Sequence, residues 1–465
     1  MIFVKSATGV DFNDTAAVLR YLETDETWRA LQARFGTLRI QPAITTNKDA
    51  LKRLVEKAEA NAKDYGMDYS DPQFNQYFFV TFTNKSADPV DLYCGLKGST
   101  RFAHVQFKLP TGRASSDHYK NAAPPADRGI GALLLRSAVP DLPVGLAKRK
   151  VVLIEKDYPA HIPTQLINAN PPRIPSGDIK DITHAASSLG IVGADWASNV
   201  NADKTTAIAT GVQLYRCPFL IALNGDPLPM LASAILDAGA ALQPGDVILI
   251  EQQANTSTAS WVPVEVDPEV WAAIRTVTLN GIIVVEPAGN GQKNLATVIG
   301  KYKVTETTFG DRPLDGSLPL SSGAIVVASA YAGEDDPSYL GWPLESTNHG
   351  AIIDCWAWGE SIRTIEATGT ASNQLLRLYD DQSPVTTADG FGETSGAAAI
   401  VAGAIAMMQG VRSAPQLPVP LNGPQVRDLL RRHGPLGQDA LAQRRMPDLM
   451  SMLGELNPPA PPPVG

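Results

Sequence analysis

Three short stretches hold the residue types that covalent chemistry needs. Phe391 to Gly403, FGETSGAAAIVAG, sets one serine, Ser395, at the head of a run of small and apolar residues. A hydroxyl in the first turn of a buried helix, with little bulk around it, suits a nucleophile. Thr394 or Ser395 as a simple N-cap for orphan backbone N–H groups is the other reading of the same pattern. Glu286 to Gly291, EPAGNG, ends in an asparagine whose side-chain amide can present a donor to a developing oxyanion, although Asn-Gly is also a common turn dipeptide. Of the six histidines, only His184 opens a small-residue, helix-like segment, HAASSLGIVGA. By itself such a histidine is more often structural than catalytic.

These residues must be held by a framework, and the chain supplies one from Lys148 onward. Val151 to Ile154 (VVLI), Val247 to Ile250 (VILI), Gly281 to Val285 (GIIVV) and Ala324 to Ala328 (AIVVA) are unbroken apolar runs, expected of strands covered on both faces. Between the second and third lies a helix pattern: Asp267 as N-cap, Pro268 at N1, a face through Val270, Ile274, Val277 and Thr278, and an Asn280-Gly281 stop. Alternation of strand and helix predicts an α/β fold with a mainly parallel sheet and helices on both faces, and sites in such sheets lie at the carboxyl ends of the strands.

The three stretches together resemble the subtilisin-like serine protease family. FGETSGAAAIVAG looks like the family's GTSxAxPxVAG serine motif, VVEPAGNG like its AAGN oxyanion motif, and HAASSLGIVGA like HGTxVAGIIGA. The motifs stand in the family's order, and the likeness runs over about residues 145 to 455. It includes Ile353 to Gly359 (IDCWAWG) and closing helices between Gln425 and Leu453. The resemblance implies a serine endopeptidase acting on protein or peptide substrates, with Ser395 as nucleophile, His184 as general base and Asn290 as oxyanion donor. No cofactor is implied. Calcium sites are common in the family, but no loop here is acidic enough to locate one.

Departures from the family pattern are concentrated around the reacting groups. Glu393 stands in place of Gly before Thr-Ser, Ala399 replaces a proline, and Ala185-Ala186 replace Gly-Thr. The first core strand of the family ends in Asp, whereas VVLIE ends in Glu155. Glu155 is the carboxylate expected to orient His184, with Asp157 and Asp181 as alternatives. In a second register, that of a DIEQG-like sequence, Leu153 takes the aspartate position and the triad is incomplete. That register motivates an alternative function, a catalytically impaired pseudo-protease acting as a binding or regulatory module.

The rest of the chain bounds its class. Its 465 residues carry a formal net charge of −9 and no basic block, which argues against nucleic acid as the main partner. No apolar run reaches the length of a membrane span. Cys94, Cys217 and Cys355 lack CxxC spacing, so neither a disulfide framework nor a zinc site is expected. Residues 1 to about 75 have a helical, charged texture, with Leu51, Leu54, Val55 and Ala58 on one helix face. Tyr77 to Phe82, a helix from Asp88 to about Gly98, and His104 to Leu109 suggest a small β-α-β unit. This unit resembles the propeptide domain that precedes catalytic domains of the family, so the expected division is a propeptide-like α+β domain over 1–110, a linker and the start of the catalytic domain over 111–147, the peptidase domain over 148–455 and a Pro-rich tail over 456–465. A propeptide-like domain implies autoinhibition of the enzyme by its own N-terminal part. The opening residues show no secretion signal, so the expectation is a protein that is cytoplasmic as synthesised, with secretion by a signal-independent route as the alternative.

Overall fold

The computed structural model describes, apart from short stretches within them, residues 2–6, 15–84, 92–107, 130–155, 167–168, 179–255, 261–295, 322–379, 391–412 and 420–456. The N-terminal part is a four-stranded sheet of β1 (Ile2–Ser6), β2 (Leu38–Pro42), β3 (Tyr77–Phe82) and β4 (Phe102–Phe107), in the order β2-β3-β1-β4. Helices α1 (Thr15–Glu23), α2 (Glu26–Phe35) and α3 (Lys48–Asp64) connect its first strands. All three pairings are antiparallel. The helical, charged texture expected of residues 1 to about 75 is therefore corrected by two strands, β1 and β2. Both are five residues long, and a period of two over so few positions does not stand out beside the long α3 pattern. β3 and β4 run in the same direction but are separated by β1, so the β-α-β unit is split around an inserted strand.

The larger sheet has seven strands. In chain order they are β5 (Lys150–Ile154), β6 (Ile167–Asn168), β7 (Gln213–Arg216), β8 (Val247–Ile250), β9 (Ile283–Pro287), β10 (Ile325–Ala330) and β11 (Cys355–Trp358). Their spatial order is β11-β10-β9-β8-β5-β7-β6, and every pairing is parallel except that of the edge strand β6.

Two cores explain why these strands lack polar alternation. Val151, Leu153, Val247, Leu249, Ile283 and Val285 face α4 (Ile179–Val192) and α7 (Glu393–Arg412). The intervening Val152, Ile154, Ile248, Ile250, Ile282 and Val284 face α5 (Leu231–Ala241) and α6 (Pro268–Leu279). Successive side chains on a strand point to opposite faces, so both faces bury apolar surface. Outside α5 and α6 lies the N-terminal part, whose Leu54, Val55, Phe74, Tyr77 and Phe79 join the second core. Asp267 takes the N-cap position of α6 with Pro268 behind it, but its side chain makes no capping bond. Gly281, at φ +82, ends that helix in the left-handed region as expected of a glycine stop.

Helix α7 is the one helix among the described residues that is long and apolar enough to cross a membrane, and it is wholly buried inside the fold. Cys217 and Cys355 are buried free thiols. Cys94 lies outside the described residues.

Candidate active site

The residues singled out from the sequence converge at the carboxyl edge of the seven-stranded sheet. β5 ends at Ile154 and the next residue is Glu155, buried with its side chain turned to α4. There His184 Nδ1 lies 2.6 Å from Glu155 Oε2. The histidine sits two turns from the end of α4, a helix whose small residues Ala185 and Ala186 are fully buried against the sheet. Its ring packs edge-on against Phe391, with centroids 5.1 Å apart. Its Nε2 is buried without a hydrogen-bond partner. Of the other two carboxylates weighed from the sequence, Asp157 lies outside the described residues, and Asp181 lies in α4 with its side chain outside them.

A second donor holds Glu155. Gln252 Nε2 binds Glu155 Oε1 and also donates to Glu251 O at 2.8 Å. The carboxyl group is thus clamped from two sides, and its free rotation is removed. Nothing in the sequence pattern pointed to Gln252. It lies two positions past the apolar run of β8, where a parallel neighbour of β5 must emerge beside Glu155.

Ser395 occupies the first turn of α7 and is 1% exposed. Its Oγ has no hydrogen-bond partner, so the simple cap reading does not describe it. The capping work falls on Thr394 and Asn290 instead. Asn290 Oδ1 accepts from Thr394 Oγ1 at 2.6 Å and from Thr394 N at 3.3 Å. Asn290 Nδ2, the donor expected to face an oxyanion, is engaged by Glu393 Oε2 at 2.5 Å. Glu393 reaches it from a left-handed backbone, φ +52, at the position where the resembling motif has glycine.

The turn that carries Asn290 is fixed by a residue far along the chain. Asn348 Nδ2 donates to Ala288 O at 2.7 Å and to Trp261 O at 2.6 Å, and its Oδ1 accepts from Lys293 N at 2.8 Å. Gly289 has φ +87, and a Cβ there would stand 2.2 Å from Trp261 O. Only glycine fits a backbone so close to another.

Electrostatically the site is acidic and buried. Glu251, one residue past β8, is fully buried; burial above all pushes its carboxyl well above the usual carboxylate range, a side-chain hydrogen bond from Ser395 opposes this, and the nearby Glu155 charge adds a smaller upward push. No group of three or more metal-ligating side chains occurs among the described residues.

A histidine held at Nδ1 by a buried carboxylate, with Nε2 free and a buried serine at a helix start, has the chemical makings of an acid–base and nucleophile set. No family model and no curated protein sequence matches the chain. Solved structures do. What this chain is similar to, in structure, are proteases. The epidermin leader peptide processing serine protease EpiP of Staphylococcus aureus is 13% identical, with 99% of this chain and 99% of that one covered at a TM-score of 0.48. Fervidolysin of Fervidobacterium pennivorans, a keratinolytic enzyme related to subtilisin, is 15% identical, with 90% of this chain and 60% of that one covered at a TM-score of 0.49. The MycP3 protease of the type VII (ESX-3) secretion system is 20% identical, with 74% of this chain and 94% of that one covered at a TM-score of 0.42.

Proposed function

We propose that the chain is a subtilisin-like serine endopeptidase that hydrolyses peptide bonds of proteins through an acyl-enzyme on Ser395. The observation that carries this reading is the 2.6 Å contact of Glu155 Oε2 with His184 Nδ1, which leaves Nε2 as the only free ring nitrogen. In the reaction, Glu155 keeps the Nδ1 proton in place and stabilises the imidazolium. His184 Nε2 takes the Ser395 proton as Oγ attacks the carbonyl, then returns it to the leaving amine. The first backbone N–H groups of α7 and the Asn290 amide meet the oxyanion, once Asn290 Nδ2 has exchanged Glu393 for substrate. The N-terminal part is proposed to act in cis as folding aid and inhibitor, with no cofactor required.

The commitment of Asn290 Nδ2 to Glu393 favours a second reading, a pseudo-protease whose fold serves binding or regulation. A serine-directed fluorophosphonate probe separates the two. The endopeptidase reading expects labelling of the full chain at Ser395, lost in S395A and H184A, and cleavage of an unstructured protein substrate. A folded chain that neither labels nor cleaves favours the second.

A further inference from the structure

Two carboxyl groups stand side by side where one was expected. β5 and β8 pair in parallel up to Ile154 and Ile250. The next residues, Glu155 and Glu251, therefore emerge together at the sheet edge, and Glu251 N donates to Ile154 O at 3.1 Å. Their surroundings differ sharply. His184 and Gln252 both bring donors to Glu155. Glu251 is 0% exposed, and neither of its oxygens has a hydrogen-bond partner.

What faces Glu251 is Ser395 on α7, with Glu155 at the end of β5 and His184 behind that. Ser395 Oγ is close enough to lower the Glu251 pKa as a side-chain hydrogen-bond partner, yet no contact between the two meets strict hydrogen-bond geometry. No cation among the described residues acts on Glu251. Adjacent buried carboxyls disfavour double ionisation, and Glu251, the member without an amide or ring N–H donor, is the one that holds the proton. A proton left on Glu251 gives that side chain an O–H donor, and the orphan acceptor before it is Ser395 Oγ.

We propose that Glu251 is a positioning residue for Ser395: protonated, it donates its O–H to Ser395 Oγ and so leaves the serine's own hydrogen to point at His184 Nε2. The inference deepens the endopeptidase reading and rests on it. No proton leaves Glu251 in the cycle. When His184 takes the Ser395 proton, the charge growing on Oγ is met by the Glu251 O–H. An ionised Glu251 would instead accept the Ser395 hydrogen, compete with His184 for it, and set a second negative charge beside the oxyanion. Ionisation of Glu251 thus switches the serine off.

Infrared difference spectra and labelling test this on the full chain. At neutral pH the carbonyl stretch of a protonated carboxyl is expected in the wild type, absent from E251Q, and shifted in S395A, where its acceptor is gone. Fluorophosphonate labelling of Ser395 is expected to fall at alkaline pH in the wild type and to keep its rate in E251Q, whose amide still donates and cannot ionise. E251L, with no donor, is expected to label about 10²-fold more slowly at every pH. The same carbonyl stretch in wild type and S395A overturns the proposal, as does an alkaline fall that survives in E251Q. The S395A comparison leaves Glu251 in place, so it decides even where the Glu251 variants fail to fold. A band that shifts in S395A while Ser395 labels at no pH supports the contact and sinks the endopeptidase reading alone.

Discussion

At the scale of single residues, the site turns on whether a glutamate can serve a histidine where the resembling family uses an aspartate. The extra methylene is absorbed because Glu155 lies just past the end of β5 and Gln252 grips its second oxygen. Glu155→Asp shortens the reach and cannot keep a 2.6 Å contact from the same backbone. Labelling of Ser395 is expected to slow by about 10²-fold, the cost of a misplaced catalytic group. Glu155→Gln presents a donor to His184 and favours the wrong tautomer, so a loss of about 10⁴-fold is expected in the same assay. Glu251 makes a separate, thermodynamic prediction. Its carboxyl is raised in the folded state, so between the unfolded glutamate value of about 4.3 and the folded value the native chain binds more protons than the unfolded one. Stability contributed by its neutral form is full below that lower value and is lost as pH rises. Urea midpoints are expected to show this decline in the wild type and to lose that part of it in Glu251→Gln. Ser395, His184 and Asn290 were legible from motif order. Gln252 and the role of Glu251 were not, because Gln252 meets Glu155 from a neighbouring strand and Glu251 meets Ser395 of α7, and both partners are far away in the chain.

At the scale of elements, the start of α7 and the turn after β9 form one unit, since Asn290 bonds both Glu393 and Thr394. Glu393→Gly removes the carboxylate from Asn290 Nδ2 and is expected to raise the labelling rate of Ser395. Its effect on stability is expected to stay within about 1 kcal/mol, because relief of a left-handed glutamate and the added freedom of glycine in the unfolded chain oppose each other. Asn348→Ala has no such compensation. It leaves the carbonyls of Ala288 and Trp261 without their buried donor, and a loss of about 1–3 kcal/mol is expected in urea unfolding. The parallel strands were legible as continuous apolar runs, and α6 from its proline start and glycine stop. β1 and β2 were not: five residues between strongly helical stretches offer too few periods. The αL backbone at Glu393 was equally hidden, since nothing local marks a glutamate for that conformation.

At the scale of the whole molecule, the N-terminal sheet and the parallel sheet share a core through α5 and α6. Thr45 N donates to Ser233 Oγ at 2.7 Å, Asn61 Nδ2 to Leu279 O at 2.6 Å, and Asn280 Nδ2 to Leu54 O at 2.9 Å. Tyr69 OH lies 2.8 Å from Thr276 Oγ1. A chain cut once between residues 107 and 130, at an engineered site, is expected to elute from gel filtration as one particle containing both pieces. Separate elution would show that the shared core does not hold them. This joint was only half legible: the apolar face of α3 could be seen in the sequence, but not that its counterpart was α6. Buried polar groups on each side find their partners on the other, and Leu54 packs in ordinary contact over Gly239 of α5, where an added Cβ would stand 2.3 Å from Val277 Cγ1 of α6. Such a joint constrains descent as well as stability. A change on one side strands a donor or opens a gap on the other, so the two parts are expected to drift together, and a chimera that takes its first hundred residues from a diverged relative would inherit a lock cut for a different key.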